Sequence, residues 1–300
     1  MNSTSPDPVR GRFAPTPSGP LHLGSLYTAL AGYLDARRRG GQWLLRIDDL
    51  DTARCDADAV PAILAQLRAH GLHWDGEPRH QSARLADYEA ALARLRDDAR
   101  VYACRCSRRQ LKASAPDGPD GPVYPGTCRA RGLAFDDAAV RYRVPEGKVC
   151  LDDAILGRIE RDADSEIGDF IVRRRDGPIA YQLASVVDDR LDGVNEVWRG
   201  HDLLGSSLRQ LSLFAGLGAA APRFAHVPVL IDAGGKLSKQ HHAAPIDPAR
   251  AGDNLRWCLA ALGQDIPPPD RDTVPAIVAW AVEHWRREAV PRSETIDLDG

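Results

Sequence analysis

Apolar side chains recur at helical spacing from residue 26. Leu26, Ala29, Leu30, Tyr33 and Leu34, with Arg37 closing the stripe, fall at i, i+3, i+4, i+7, i+8 and i+11. That period predicts an amphipathic helix, with Ser25 placed to cap it. A short strand ending at Arg12-Phe13 comes before it. After it, Trp43-Leu44-Leu45-Arg46-Ile47 is an apolar run between Gly40-Gly41 and Asp48-Asp49, the mark of a buried strand. Strand, helix and strand form the unit of a parallel sheet. The acidic run Asp48-Asp49-Leu50-Asp51 then lies at the sheet's carboxyl edge, where open α/β folds bind ligands. Ile63, Leu64 and Leu67 predict a helix over 58–70, stopped by Gly71. Leu72 to Gly76 is a turn. Leu85, Tyr88, Ala91, Leu92 and Leu95 predict a second helix over 82–96.

The pattern changes near residue 100. Val140-Arg141-Tyr142-Arg143-Val144 alternates, as a strand with one wet face does. Two strands, 169–173 and 179–183, flank Asp176-Gly177, a hairpin dipeptide. Helical and parallel-strand patterns resume after 185: a strand over 194–198, a helix over 204–214 and a strand over 226–231. Pro267-Pro268-Pro269 breaks the tail, with a helix predicted on each side. The expected architecture is α/β, a Rossmann-like domain with a parallel sheet. It is split into halves at 10–100 and 186–247 by an inserted α+β module at 101–185, and 248–300 forms a short helical tail.

Composition narrows the function. The 300 residues are 43% apolar, with 39 basic and 42 acidic side chains and a net charge of −3, which is not the balance of a general nucleic-acid binder. Local basic runs remain as candidate phosphate contacts, Arg105, Arg108, Arg109 and Lys112 in one and Arg173-Arg174-Arg175 in the other. No run approaches the roughly 18 apolar residues of a membrane span, and the polar start lacks the apolar core of a signal peptide. A cytoplasmic, reducing setting is expected, so clustered cysteines read as metal ligands. Cys104-x-Cys106 and Cys128 are such a cluster. Structural zinc takes four ligands, and no His lies between residues 102 and 131. The fourth donor is Tyr124, Asp117 or Asp120. Cys55, Cys150 and Cys258 stand alone.

Two loops carry the chemistry. Arg12 to Ser25 holds Pro15, Pro17 and Pro20, which exclude helix and central strand. It delivers Gly19, His22 and Gly24 to a helix N-terminus, where free N–H groups and the helix dipole favour phosphate. Far along the chain, Gly234-Gly235-Lys236-Leu237-Ser238-Lys239 carries two ammonium groups on a Gly-led loop, suited to a polyphosphate whose charge moves during reaction.

The pair His22-Leu23-Gly24-Ser25 and Lys236-Leu237-Ser238-Lys239-Gln240 resembles the two signature motifs of class I aminoacyl-tRNA synthetases. Arg12-Phe13-Ala14-Pro15-Thr16-Pro17-Ser18-Gly19 is similar to the start of the glutamyl enzymes, and glutaminyl enzymes usually have Pro at the position of Ala14. Asp75 and Trp198-Arg199-Gly200 fit the same pattern. Glutamyl enzymes continue into a helical anticodon-binding domain, for which the stretch after Gln240 is too short. The shortened form with its Cys-x-Cys is similar to the glutamyl-queuosine branch of the family. The resemblance implies a ligase that activates L-glutamate with ATP and Mg2+, without tRNA. It then passes the glutamyl group to the queuosine base of tRNA(Asp), with one structural Zn2+ on Cys104, Cys106, Tyr124 and Cys128. A monomer is expected. By the same resemblance His22 and Gly24 meet ATP, and Lys236 and Lys239 with His22 are catalytic. Arg12, Phe13, Ala14, Pro15, Thr16, Asp48, Tyr181 and Arg199 hold glutamate. Position 48 departs from the glutamyl pattern, which has Glu where Asp48 stands. The charge is kept and the reach shortened, and glutaminyl enzymes have Asp-Asp here. The rival readings are a minimal glutamyl-tRNA synthetase charging a 3′ end, a non-catalytic paralogue that binds nucleotide or tRNA, and an adenylyltransferase of the same fold.

Overall fold

The structure, a computed structural model, describes residues 8–56, 58–232, 235–236 and 244–298. The first elements are β1 (Arg10–Phe13), α1 (Leu23–Arg38), β2 (Gln42–Ile47), α2 (Ala59–Ala69) and β3 (Arg79–His80). Helix α3 (Leu85–Asp97) follows a 3-10 turn over Gln81–Arg84. Next come β4 (Val101–Cys104), α4 (Arg108–Ser114), the two-residue strands β5 (Asp117–Gly118) and β6 (Gly121–Pro122), β7 (Ala139–Tyr142), β8 (Lys148–Asp153), β9 (Gly157–Asp162) and β10 (Phe170–Arg173). The chain then runs through α5 (Tyr181–Leu191), β11 (Glu196–Gly200), α6 (Leu204–Gly216), β12 (Arg223–Val227), β13 (Val229–Asp232) and β14 (Gly235–Lys236). It closes with α7 (Ala251–Ala261), α8 (Val274–His284) and β15 (Thr295–Asp297).

The central sheet has the order β12-β11-β1-β2-β3 and is parallel throughout. Strands from both ends of the chain interleave in it. Gly11 of β1 lies between Trp43 of β2 and Glu196 of β11. The strands β10-β7-β4 form a separate antiparallel sheet, and β8 and β9 a hairpin whose first strand packs against β12 and α6.

Helix α1 is buried on most of its circumference, not along one stripe, because the central sheet covers one side and α7 and α8 the other. Leu26, Leu30 and Leu34 are sealed from solvent, each contributing about 1.5–3 kcal/mol of burial. A Cβ on Gly32 would lie 3.2 Å from the Cβ of Trp198, so glycine sets how closely the helix approaches β11. The tail is tied down twice. Trp285 Nε1 and Arg287 both donate to Asp35 of α1, and Arg287 also meets Glu196. Strand β15 pairs in parallel with β13, Leu230 opposite Ile296.

Several expected elements are corrected. The cap of α1 is His22, whose Nδ1 accepts from Ser25 N–H at 3.3 Å, so Ser25 lies inside the first turn. The 226–231 strand is two strands, because Pro228 has no N–H to continue the ladder. β12 belongs to the central sheet and β13 to the one with β15. The second arm of the hairpin at Asp176-Gly177 is a single bridge, Arg173 opposite Ile179. From Tyr181 the chain is helical, since Leu183, Val186 and Val187 bury one face of α5. The supposed wet face of β7 is absent, because Arg141 is buried and stacks 3.7 Å from the Tyr124 ring centroid. Leu85, at the start of α3, is exposed, while Tyr88, Ala91, Leu92 and Leu95 form its buried face as the spacing predicts.

Candidate active site

Strand β1 ends at Phe13, and the proline-stiffened loop carries the chain over the carboxyl edge of the sheet into α1. Asp48 N–H donates to Pro15 O at 3.0 Å, fixing this loop against the end of β2. A cavity of about 360 Å³ opens here. Arg12, Phe13, Ala14, Pro15, Thr16, His22, Gly24, Tyr181 and Arg199, drawn from four separated stretches, all line it. Trp198, Pro228, Val229 and Leu230 add an apolar wall. Tyr181 does so from the first turn of α5, not from a strand.

Asp48 faces a neighbouring cavity of about 220 Å³, which shares Thr16 and Tyr181 with the first. Lys236 ends β14, its backbone opposite Ile231. Lys239 lies outside the described residues.

His22 is the N-cap of α1. With Nδ1 accepting a backbone hydrogen bond, a neutral ring carries its proton on Nε2 and offers a donor there. A donor at a helix N-terminus suits an anion.

The floor of the site is a buried cluster of charge that residue spacing did not reveal. Arg12 makes a two-point contact with Asp189, Nε to Oδ1 at 3.2 Å and Nη2 to Oδ2 at 3.4 Å. Arg46 donates to Asp48 at 2.7 Å, to Asp189 at 2.6 Å and to Ser185 at 3.3 Å. Asp188 accepts from Gln81, Arg84 and Tyr88. Burial pushes the Asp189 carboxyl up, but Arg12 and Arg46 outweigh it and hold it below the ordinary range. For Asp48 burial wins over Arg46 and Arg12, and its carboxyl rises. The signal in the sequence was the pair Asp188-Asp189 directly after Val186-Val187, because carboxylates buried with an apolar helix face need buried partners.

Arg199 differs from Arg12 and Arg46. It is buried, stacks over Phe224 and gives Nη1 to Ser207 and Gln210. Its Nε and Nη2 have no partner, and no carboxylate among the described residues forms an ion pair with it. Burial lowers its pKa, but a guanidinium keeps its proton.

The cysteine cluster lies at the end of β4. The Sγ atoms of Cys104, Cys106 and Cys128 all fall within 4.8 Å of one another, and no His, Asp or Glu among the described residues joins them. Tyr124 does, its hydroxyl lying 3.4 Å from Cys104 Sγ and 3.6 Å from Cys106 Sγ. It also accepts from Cys128 N–H at 2.8 Å. Cys106 Sγ is 3.5 Å from Cys128 Sγ, near the roughly 3.7 Å edge of a tetrahedron with metal–sulfur bonds of about 2.3 Å. Asp117 and Asp120 are not in the cluster, and Asp120 instead packs on Gly205 of α6. Burial raises the Cys128 thiol, yet hydrogen bonds led by a backbone N–H from Arg105 bring it down to about 7, while burial takes Cys106 up to about 11. One thiol poised for ionisation beside two others can hold a metal ion.

Comparison with known proteins gives one answer. Residues 8–261 match the family of tRNA synthetases class I (E and Q), catalytic domain. The chain is 49% identical to the Glutamyl-Q tRNA(Asp) synthetase of Methylococcus capsulatus, over 100% of this chain and 99% of that one. It is 45% identical to the protein of the same name from Pseudomonas fluorescens, over 99% and 98%. Among solved structures it is similar to a glutamate tRNA ligase from Elizabethkingia meningosepticum, with TM-score 0.78 and 24% identity, covering 96% of this chain and 66% of that chain. The likeness in fold therefore spans about two thirds of that longer ligase. With near-complete coverage at this identity, the chain belongs to the glutamyl-Q tRNA(Asp) synthetases of the class I tRNA synthetase family, and is a ligase.

Proposed function

We propose that the chain activates L-glutamate with ATP in the larger cavity, without tRNA, and transfers the glutamyl group to the queuosine base of tRNA(Asp). The observation that carries this reading is the convergence in one cavity of the Arg12–Thr16 loop, His22 and Gly24 at a helix N-terminus, and a buried Arg199 with unpartnered N–H groups. The relatives' names supply the class of acceptor.

In the first step a carboxylate oxygen of glutamate attacks the α-phosphorus of Mg2+-bound ATP. The bond to the bridging oxygen breaks and pyrophosphate leaves, giving the glutamyl-adenylate. The α1 N-terminus and His22 Nε2–H stabilise phosphate charge. Lys236 and Lys239 take the charge that grows on the equatorial and leaving oxygens. Gly24 leaves room for the nucleotide, and the apolar wall of Trp198, Val229 and Leu230 suits its base. Arg199 binds the side-chain carboxylate of glutamate, with Arg12, Tyr181 and the Phe13–Thr16 loop around it, and Asp48 attracts the ammonium from across Thr16. In the second step a hydroxyl of queuosine attacks the carbonyl carbon and loses its proton, and AMP departs as the ester forms.

Cys104, Cys106, Tyr124 and Cys128 hold one zinc ion, which supplies a cross-link between β4 and the loop of residues 123–128. We assign residues 101–185 to an inserted module between two halves of the catalytic domain, 10–100 and 186–247, with 248–300 as its tail. The module presents Arg105, Arg108, Arg109, Lys112 and Arg173–Arg175 to tRNA phosphates, and the enzyme works as a monomer in the cytoplasm. No helix among the described residues is long and apolar enough to cross a membrane. The test is glutamate-dependent ATP–pyrophosphate exchange without tRNA, followed by glutamate transfer to queuosine-containing but not queuosine-free tRNA(Asp). Transfer to both, or to a 3′ end, contradicts the reading.

A further inference from the structure

Behind Arg199 runs a line of buried polar groups that the reaction itself does not use. Asp153 ends strand β8 and His226 lies in β12 of the central sheet. Asp153 Oδ2 is 2.6 Å from His226 Nδ1. His226 Nε2 is 2.8 Å from Ser207 Oγ, and Ser207 Oγ accepts from Arg199 Nη1 at 3.1 Å. All four side chains are at most 5% exposed. Asp153 is itself fixed, accepting N–H bonds from Ile155 and Leu156 at 2.9 Å each.

The donors in this line have one consistent direction. A carboxylate only accepts, so His226 carries its proton on Nδ1 and presents a lone pair at Nε2. Ser207 then gives its single proton to His226, in preference to the more distant Leu203 O at 3.2 Å. Its oxygen lone pairs are left for Arg199. The line therefore reads Arg199 to Ser207 to His226 to Asp153, with each group donating to the next.

Buried arginines ordinarily sit against a carboxylate. Arg12 and Arg46 follow that rule in this cavity's floor, whereas Arg199 makes no ion pair with a described residue and reaches Asp153 only through two intervening side chains. We propose that Asp153, His226 and Ser207 are positioning residues. They lock the Arg199 guanidinium in place while leaving its Nε and Nη2 N–H groups for the side-chain carboxylate of a dicarboxylic amino acid. This rests on the proposed function, which puts glutamate against Arg199. A direct carboxylate partner in place of Ser207 would hold the arginine equally well and weaken its attraction for the substrate. Around His226 the charged and titratable neighbours are Asp153, Arg199 and His201. Burial holds the imidazole neutral, so it adds no second positive charge beside Arg199.

The test is steady-state ATP–pyrophosphate exchange with Ser207→Ala and, as a variant that keeps shape and acceptor but drops charge, Asp153→Asn. Thermal midpoint and KM for ATP are measured alongside. A lost hydrogen bond to a charged group predicts a KM for glutamate raised about ten- to a hundredfold in Ser207→Ala, and a smaller rise in Asp153→Asn. In both, KM for ATP should be unchanged. An unaltered KM for glutamate in both variants overturns the relay while wild-type exchange leaves the proposed function standing. Equal losses for ATP and glutamate overturn it in favour of a structural role. Wild type that shows no glutamate-dependent exchange removes the proposed function and the relay with it.

Discussion

Arg12 and Asp189 join β1 to α5. The first residue lies in β1 and the second in the last turn of α5. They meet through two N–H···O contacts at 3.2 and 3.4 Å with both side chains buried. The same carboxylate also accepts from Arg46, so one acid bridges two arginines beneath the cavity.

Removing that acid should be costly. Asp189→Ala leaves Arg12 and Arg46 buried with one of their acceptors gone, and breaking a buried ion pair by removing one partner costs about 3–5 kcal/mol. Denaturant unfolding should show a loss of this order. Asp189→Asn should cost less, because it keeps an acceptor oxygen. A loss below about 1 kcal/mol for the alanine variant would contradict the cluster's role.

Arg287 should matter for the tail. It reaches Asp35 of α1 and Glu196 at the start of β11, and it is 19% exposed. Arg287→Ala should destabilise by about 1–3 kcal/mol, less than a fully sealed pair. Proteolysis should then cut first in the segment after α8. An unchanged cleavage pattern would mean that β15 and Trp285 hold the tail without Arg287.

Acid should destabilise the protein in two stages. His226 has its pKa lowered from the ordinary 6.5 by burial first, against the pull of Asp153. Its contribution is complete above about 6.5 and is lost as pH falls toward the lower native value, since the unfolded chain takes the proton first. His70 acts in the same direction, lowered by burial. Asp189 and Asp153 are lowered from 3.8, so their contribution is lost only as pH falls below the ordinary carboxylate range. Asp48 is raised and opposes this second stage. Urea midpoints measured from about pH 6.5 downward should decline, and fall again below about 4. A rise on acidification would contradict these signs.

The cysteine cluster predicts about one zinc per purified chain, the count of a single four-ligand site. Cys128→Ser should lower metal content and thermal stability together, and Tyr124→Phe should weaken metal retention. A fully folded protein that never holds metal would refute the assignment.

Much of this was legible from residue order. The helix at 23–38, the strand at 42–47 and the cysteines declared themselves through period, flanks and spacing. The cavity-lining loop did so through its prolines and His22. What escaped depended on tertiary partners. Tyr181 reads as a strand residue until Val186 and Val187 are seen to bury one helical face. Arg141 reads as wet until Tyr124 takes its guanidinium. Pro228 splits a run whose apolar content is continuous. The Arg12–Asp189–Arg46 cluster joins residues from three elements, and no local pattern links such distant positions.

The central claim is that the Arg12–Thr16 loop and Arg199 select glutamate for activation by ATP. ATP–pyrophosphate exchange with each of the standard amino acids, without tRNA, tests it directly. The account predicts exchange with glutamate and none with glutamine, because an amide cannot satisfy the unpaired charge of Arg199. Exchange with glutamine and not with glutamate would contradict it.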